Sequence, residues 1–206
     1  MRIIVLSDVH GNLPALEKLL NHEHFDLCVS LGDVVNYGPW SNECVELLDA
    51  LPNKILLRGN HEDYYLKGVY ENTTLSGRFF DYCYPDFRRF DLIRKYIISI
   101  TINDYLYQHT IDDRIIYPDT HLVFDQNYII GHSHHQSLQE CGKYKLYAIG
   151  SVGQNRQYIN QIDYLIIDKC IELKHLIYDE NLIIGEMKAR NYPREFIEYY
   201  SKKQRV

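Results

Sequence analysis

Residues 1–57 alternate short apolar runs with amphipathic stretches, and this alternation constrains the fold more than any other feature of the chain. The apolar runs at 3–6, 27–31 and 54–57 have the length of strands. The two stretches between them repeat apolar residues at helical spacing. Alternation of strand and helix is typical of parallel strands joined by helical crossovers. The sequence therefore predicts an α/β fold whose first three strands are parallel.

The pattern changes in the second part of the chain. Residues 63–94 are mixed in character and predict mostly helix, whereas the period of two that follows predicts a hairpin of strands at 96–102 and 105–108. Further strands are predicted at 128–130, 146–149, 163–167 and 170–177, and a last helix at Pro193. No linker, repeat or low-complexity tract interrupts the sequence, so we expect one domain over 1–206.

Composition limits the classes of function. The net charge is −6 and no tract is rich in Lys or Arg, so we expect no strong nucleic-acid binding. Five cysteines without a CxxC pair favour reduced thiols over disulfides or a cysteine zinc site. The apolar run at the N-terminus is too short for a signal peptide or a membrane span. The expected location is the cytoplasm, and the oligomeric state stays open.

Five predicted strands are each followed by residues of the kinds that bind metals. These residues are Asp8 and His10 after the first strand, Asp33 after the second, Asn60 and His61 after the third, His109 after the hairpin, and His132 and His134 after the strand at 128–130. Ligands of open α/β sheets bind beyond the carboxyl ends of the strands. We therefore expect these side chains to converge although they are distant in sequence.

The residue types suit a pair of divalent cations. Asp oxygens and imidazole nitrogens without thiolates match manganese, iron, cobalt, nickel or zinc. One Asp can bridge two ions that lie roughly 3.5 Å apart. Taken singly, an Asp after a strand is more often a helix cap or turn former. A lone His more often makes ordinary hydrogen bonds within the protein or faces solvent. Their joint occurrence at strand ends favours a two-metal site.

The same motifs resemble the calcineurin-like metallophosphoesterase superfamily. The resemblance is carried by Asp8-x-His10, Gly32-Asp33, Gly59-Asn60-His61-Glu62, His109 and Gly131-His132-x-His134. Segments 7–12, 37–39 and 150–154 narrow it to the YfcE-type phosphodiesterase/phosphatase group. The resemblance covers about residues 1–156. It implies an α/β fold, a four-layer αββα sandwich of two mixed sheets flanked by helices, with a dimetal centre that is often active with manganese.

The resemblance also implies roles for individual residues. One ion would be held by Asp8, His10 and His134, the other by Asn60, His109 and His132, with Asp33 bridging them. His61 would be the catalytic residue near the leaving group, and the backbone of residues 150–153 would lie near the site. We expect Asn12, Asn36, Tyr37 and Arg156 to contact substrate. The implied reaction is hydrolysis of a phosphate mono- or diester, from a small molecule or a nucleotide, by a metal-bridging hydroxide.

The chain departs from its relatives at two places. Related Ser/Thr protein phosphatases carry Asp-Arg where Asn36 and Tyr37 stand, and neither residue replaces a carboxylate or a bidentate guanidinium. Protein-phosphatase activity is therefore disfavoured unless Arg58 or Arg156 reaches the pocket. Thr110 follows His109 where the family often has Gly, which predicts a small shift of that loop.

Three alternatives to a phosphomonoesterase or phosphodiesterase stay open. One is a hydrolase of nucleotides or dinucleoside polyphosphates. Another is a non-catalytic metal-binding scaffold, which is disfavoured because every candidate ligand and His61 are present. The third is a nuclease, which the acidic balance of the chain disfavours.

Overall fold

A computed structural model describes residues 1–70 and 73–206, and in this part of the chain two five-stranded sheets are accompanied by seven α-helices. The strands are β1 (Ile3–Leu6), β2 (Leu27–Ser30), β3 (Lys54–Leu56), β4 (Ser99–Ile102), β5 (Tyr105–Gln108), β6 (Asn127–Ile130), β7 (Gln136–Cys141), β8 (Tyr144–Ile149), β9 (Gln161–Ile167) and β10 (Ile171–Ile177). The helices are α1 (Leu13–His22), α2 (Ser41–Asp49), α3 (Asn60–Lys67), α4 (Leu75–Cys83), α5 (Phe90–Ile93), α6 (Asn181–Ala189) and α7 (Arg194–Ser201).

Both sheets are mixed. The first has the order β10-β9-β1-β2-β3, in which β1, β2 and β3 are parallel as the sequence predicts and β9 is antiparallel to β1. The second has the order β4-β5-β6-β8-β7, in which β5, β6 and β8 are parallel. The parallel strands of each sheet end at one edge, so the loops that follow them can meet.

Three apolar layers hold the sheets in place. Val5, Val29 and Ile149 belong to a buried cluster that joins the two sheets, and burying each such side chain contributes about 1.5–3 kcal/mol. The opposite face of the first sheet packs against helices, with Leu16 of α1 and Val45 of α2 in one cluster. The outer face of the second sheet is covered by residues of the connection from β5 to β6. The predicted sandwich of two mixed sheets flanked by helices is confirmed.

Some element predictions are wrong in detail. β4 begins at Ser99 rather than at residue 96, because Ile97 forms only an isolated bridge with Leu57. β7 was not predicted; its sequence QSLQEC is largely polar, and it exists because β8 offers it an antiparallel partner. Helix α6 was not predicted either, since Gly185 weakens its intrinsic helix preference. The remaining predicted strands and the helical character of 63–94 are confirmed within the described residues.

No helix in the described part of the chain is long and apolar enough to cross a bilayer.

Candidate metal centre

The loops after β1, β2, β3, β5 and β6 bring acidic and imidazole side chains together at one end of the sandwich. Among residues 1–70 and 73–206, ligand atoms within 4.8 Å of one another form three sets, which are Asp8 with His10 and His134, Asp33 with His109 and His132, and His10 with Asp33 and His61. We call Asp8, His10 and His134 the inner group, and Asp33, Asn60, His109 and His132 the outer group.

The inner group is buried. His134 Nε2 lies 3.0 Å from Asp8 Oδ1 and 3.2 Å from His10 Nε2. His10 Nε2 lies 3.7 Å from the same Asp8 oxygen. One carboxylate oxygen and two imidazole nitrogens therefore surround a small volume that is shielded from solvent.

The outer group is arranged around His109. Its Nε2 lies 3.1 Å from Asp33 Oδ2, 3.1 Å from His132 Nδ1 and 3.2 Å from Asn60 Oδ1. Asn60 and His132 are only half-buried. This side of the site is therefore the more open one.

Asp33 stands between the two groups. Its Oδ1 accepts a hydrogen bond of 2.8 Å from the backbone N–H of His61, at the start of α3. Its Oδ2 is left to face the site, 3.1 Å from His109 Nε2 and 4.0 Å from His10 Nε2. A single carboxylate oxygen is therefore within reach of both groups.

The protonation of three imidazoles is fixed by backbone carbonyls. His10 Nδ1 donates to the carbonyl oxygen of Val35 at 3.1 Å, and His109 Nδ1 donates to that of Leu31 at 3.1 Å. His134 Nδ1 donates to the carbonyl oxygen of Gln154 at 2.9 Å. Because a carbonyl oxygen can only accept, Nδ1 carries the hydrogen and Nε2 of the neutral ring presents a lone pair. The Nε2 atoms thus face carboxylate oxygens, and histidines that bind metals are oriented by a carbonyl in this way.

Electrostatics keep the carboxylates charged. Burial alone would raise the pKa of Asp8, but His134 and His10 hold that pKa well below its usual range. The pKa of Asp33 is lowered in the same way by His109 and His61, against the effect of burial. Burial lowers the pKa of His134 to about 4, so its ring is neutral at pH 7. The ionised carboxylate of Asp8 beside the neutral ring of His134 is a suitable pair of ligands for a divalent ion.

His109 shows what the site does without a cation. Burial lowers its pKa, but the carboxylate of Asp33 outweighs this effect and raises the pKa to about 10. A proton on His109 Nε2 would then bridge to Asp33 Oδ2 at 3.1 Å. A metal ion bound by these two atoms would take the place of that proton.

The backbone of the site is strained. Seven site residues other than glycine have φ between 50° and 75°, namely Asp8, His10, Asp33, Asn36, Tyr37, His132 and His134. The left-handed region costs on the order of 1–3 kcal/mol for each residue held in it, and such residues cluster at functional sites. The structure therefore gives up stability in the loops that present the candidate ligands.

Glycine allows close approach at one of these loops. A Cβ atom at Gly131 would lie 2.6 Å from Asp8 Oδ2. The backbone N–H of His132 donates to that same oxygen at 3.0 Å. The loop after β6 can thus pack directly on Asp8 and orient it.

Glu62 fastens two of the loops together, and sequence reasoning gave it no role. Its carboxylate accepts hydrogen bonds from the backbone N–H groups of Asp33 at 2.8 Å, Val34 at 2.7 Å and Gly59 at 2.8 Å. Burial, assisted by the charge of Asp33, raises the pKa of Glu62 to about 7. The available signal was its place in the Gly59-Asn60-His61-Glu62 motif, three residues after the helix cap.

The proton of His61 is located by Asn36. The Asn36 Nδ2 atom lies 3.3 Å from the carbonyl oxygen of Ser76, so it is the amide nitrogen, and it lies 3.0 Å from His61 Nδ1. His61 Nδ1 therefore accepts, and Nε2 carries the hydrogen. Burial lowers the pKa of His61 to about 3, so the ring is neutral. Its Nε2–H faces the site, 3.9 Å from Asp33 Oδ2.

The residues predicted to contact substrate differ in their surroundings. Asn12 is buried, its Oδ1 caps α1, and its Nδ2 donates to Gly153 O and to the Tyr178 hydroxyl at 2.7 Å. The side-chain polar atoms of Asn12 are thus hydrogen-bonded within the protein. Tyr37 packs against the rings of His10 at 4.8 Å and His61 at 5.7 Å.

The two candidate arginines also differ. The guanidinium of Arg58 pairs with Asp63 at 2.9 Å. Arg156 is exposed and donates from Nη1 to the Tyr199 hydroxyl at 2.8 Å. The loop that carries Arg156 runs beside the inner group, because Val152 and Gly153 donate backbone hydrogen bonds to the carbonyls of Ser7 and Asp8.

A cavity of 430 Å³ opens beside the outer group. Asn60 and His132 form part of its wall, together with Tyr64, Lys67 and Tyr70. The cavity connects the candidate metal ligands with a surface that carries aromatic rings and charges of both signs, since Asp63 and Asp113 line it as well as Lys67.

Comparison with known proteins identifies a family for this chain. The sequence profile of the family described as calcineurin-like phosphoesterase matches residues 1–167. An uncharacterized protein of Methanocaldococcus jannaschii, MJ0912, is 32% identical over 224 aligned positions, which cover 86% of this chain and 88% of that protein.

Two solved structures share the fold. A metallophosphoesterase from Sphaerobacter thermophilus superposes with a TM-score of 0.77 at 21% identity, over 98% of each chain. Yfce, a phosphoesterase from E. coli, superposes with a TM-score of 0.52 at 19% identity, over 87% of this chain and 100% of that one. The resemblance drawn from the sequence motifs is confirmed.

Proposed function

The chain belongs to the calcineurin-like phosphoesterase family, and we propose that it is a dimetal-dependent hydrolase of phosphate mono- or diesters. The observation that carries this proposal is the set of imidazole Nε2 atoms that backbone carbonyls aim at Asp8 and Asp33. Buried nitrogen and carboxylate acceptors that face one another are costly unless a proton or a cation lies among them. The arrangement is therefore understandable as a cation site.

In this proposal each group holds one ion. Asp8, His10 and His134 bind the first, Asn60, His109 and His132 bind the second, and Asp33 is shared. When bound there, two divalent cations would make hydroxide available near neutral pH and would offset the charge that develops on phosphoryl oxygens. Manganese is our first choice, and iron, zinc, cobalt or nickel fit the same ligands.

His61 acts on the leaving group. Because Asn36 donates to Nδ1, the neutral ring offers Nε2–H to the ester oxygen as the P–O bond lengthens. Because burial lowers the pKa of His61 to about 3, the ring stays neutral near pH 7, and its Nε2–H stabilises the leaving oxygen by a hydrogen bond rather than by transfer of the proton. One preorganised hydrogen-bond donor of this kind is worth about 10²–10³ in rate.

The substrate contacts are divided between two kinds of residue. We assign Tyr37 and Arg156 to the substrate, because Arg156 is exposed beside the inner group and Tyr37 packs on His10 and His61. Asn36 acts through His61, which it orients. Asn12 acts through the loop that contains Gly153, since its amide donates to that residue's carbonyl.

The test is reconstitution of metal-depleted protein. We expect the chain to bind two manganese ions and to hydrolyse 4-nitrophenyl phosphate, bis(4-nitrophenyl) phosphate or both, with activity lost to a chelator and restored by added metal. Nucleotides, dinucleoside polyphosphates and a phosphopeptide complete the panel and separate the substrate classes. Loaded, folded protein that hydrolyses none of these would refute the proposal, and a chain that takes up no ion would refute its premise.

A further inference from the structure

The segment that follows α7 brings a second cation to Arg156. Lys203 Nζ and Arg156 Nη1 both donate to the hydroxyl of Tyr199, each at 2.8 Å. Lys203 Nζ also lies 4.0 Å from the centre of the Tyr199 ring and 3.4 Å from Gln154 Oε1. Tyr199 and Lys203 lie beyond residue 167, where the family match ends. Their place beside Arg156 is visible only in three dimensions.

These two cations differ from their neighbours in having no carboxylate of the described residues within 4.0 Å. Arg194 and Lys202 pair with Glu198 at 2.6 Å, and Arg205 pairs with Glu180. In residues 1–70 and 73–206, by contrast, the hydrogen-bond partners of Arg156 and Lys203 are the side chains of Tyr199, Gln154 and Tyr37 and backbone. The Asp8 carboxylate acts on Arg156 only through its charge. A cation–π contact with Tyr199 satisfies one cation, but it leaves the repulsion between the two.

The pair lies at the border of the candidate metal centre. The backbone N–H of Arg156 donates to the carbonyl of His134 at 3.4 Å. The Tyr199 ring stacks on Tyr37 at 6.2 Å, and Tyr37 packs against His10. Arg156 is exposed and Lys203 is half-buried, so a ligand in the site can reach both.

Holding these charges together costs free energy. Burial, and after it the charge of Arg156, lowers the pKa of Lys203 to about 7. A bound anion would remove the repulsion and favour the protonated lysine. A phosphate group suits the pair, because guanidinium binds it through a fork of donors and ammonium binds it as a compact charge.

We propose that Arg156, Lys203 and Tyr199 form an anion subsite for a second phosphate group of the substrate, apart from the phosphate ester that is hydrolysed. This inference rests on the proposed function and narrows its substrate class to esters with a further phosphate. The metal ions would hold the reacting phosphate, and the subsite would select the molecule that carries it.

The first experiment compares two substrates on the metal-loaded full chain. Glucose 1,6-bisphosphate carries a second phosphate, and 4-nitrophenyl phosphate does not. We expect Lys203→Met to lower the ratio of kcat/KM for the bisphosphate to that for the monophosphate by about 10- to 100-fold, mainly through KM, because a charge-assisted hydrogen bond is lost. Lys203→Arg should restore most of the ratio.

Lys202→Met is the matched control. It removes the same charge one residue away, from an exposed lysine paired with Glu198, so the ratio should be that of the wild type. An equal ratio in wild type and Lys203→Met would overturn the subsite. An equal fall in the two variants would also overturn it, since the effect would then be one of net charge.

A second measurement does not depend on turnover. Inorganic pyrophosphate is titrated by calorimetry into the full chain with metals removed by chelation. We expect about tenfold weaker binding in Lys203→Met than in wild type or Lys202→Met. Equal binding would refute the subsite even if the chain hydrolyses phosphate esters. If the calorimetric difference appears in a chain without hydrolysis, the proposed reaction fails and the subsite stands.

Discussion

The inner and outer groups use the same kinds of ligand atoms in different surroundings. In the inner group both imidazoles are oriented by backbone carbonyls, and Asp8 and His10 are fully buried. In the outer group a carbonyl orients His109, whereas His132 turns Nδ1 toward His109 and is half-buried beside the cavity. Ring orientation raises metal affinity about 10- to 100-fold. The inner group should therefore bind its ion more tightly, and the outer ion should exchange.

The largest effect is expected for Asp33, the residue that the inner and outer groups share. Asp33→Asn removes the charge that faces both groups, so both ions should be lost together and activity should fall by more than about 10⁴. Metal analysis and steady-state kinetics measure the two effects. Retention of both ions by the folded variant would mean that the groups are independent.

The next largest effect concerns His61, which lies near both groups. His61→Ala should lower kcat by about 10²–10³ while two ions remain bound, because the residue donates a hydrogen bond to the leaving oxygen and does not hold metal. Metal content and kcat are measured on the same sample. Loss of an ion would show that His61 is a ligand and that the division into two groups is wrong.

The asymmetry itself is tested by one ligand from each group. His134→Ala and His132→Ala should each lower the affinity for one ion by more than about 100-fold. The reason is that even a residue which only supports a ligand changes metal affinity by about 10- to 100-fold. We expect His134→Ala to remove the tightly bound ion and His132→Ala to remove the exchangeable one, as followed by competition with a metal-binding dye. Identical affinities in the two variants would contradict the comparison.

The smallest effect is one of stability at the edge of the inner group. The pKa of Lys203 falls from an ordinary 10.5 to about 7 in the folded chain, so folding disfavours the charged lysine. Its penalty is absent above pH 10.5, grows as the pH falls and is complete below 7. Lys203→Met should therefore raise the unfolding temperature more at pH 6.5 than at pH 10. If the change in unfolding temperature were the same at pH 6.5 and pH 10, the charge of Lys203 would not destabilise the folded chain.

Elements whose own residues determine their structure could be predicted from the sequence, whereas elements stabilised by a neighbouring strand could not. The strands β1, β2 and β3 were predictable because continuous apolar runs alternating with helical periodicity leave few parallel arrangements. β7 was not, because a polar edge strand is stabilised by its neighbour β8 rather than by its own residues. The motifs after the strands nominated the candidate ligands by residue type and by their position at strand ends.

The amino-acid sequence by itself determined the family, the parallel core and which residues are able to bind metal, since these follow from short motifs and local periodicity. Only the tertiary structure decided which nitrogen of each imidazole is free, that Asn12 is consumed by capping and loop contacts, and that Lys203 lies beside Arg156. The physical reason is that a hydrogen bond or a charge contact depends on distances of a few ångströms between segments far apart in sequence. Those distances are set by the packing of the whole chain.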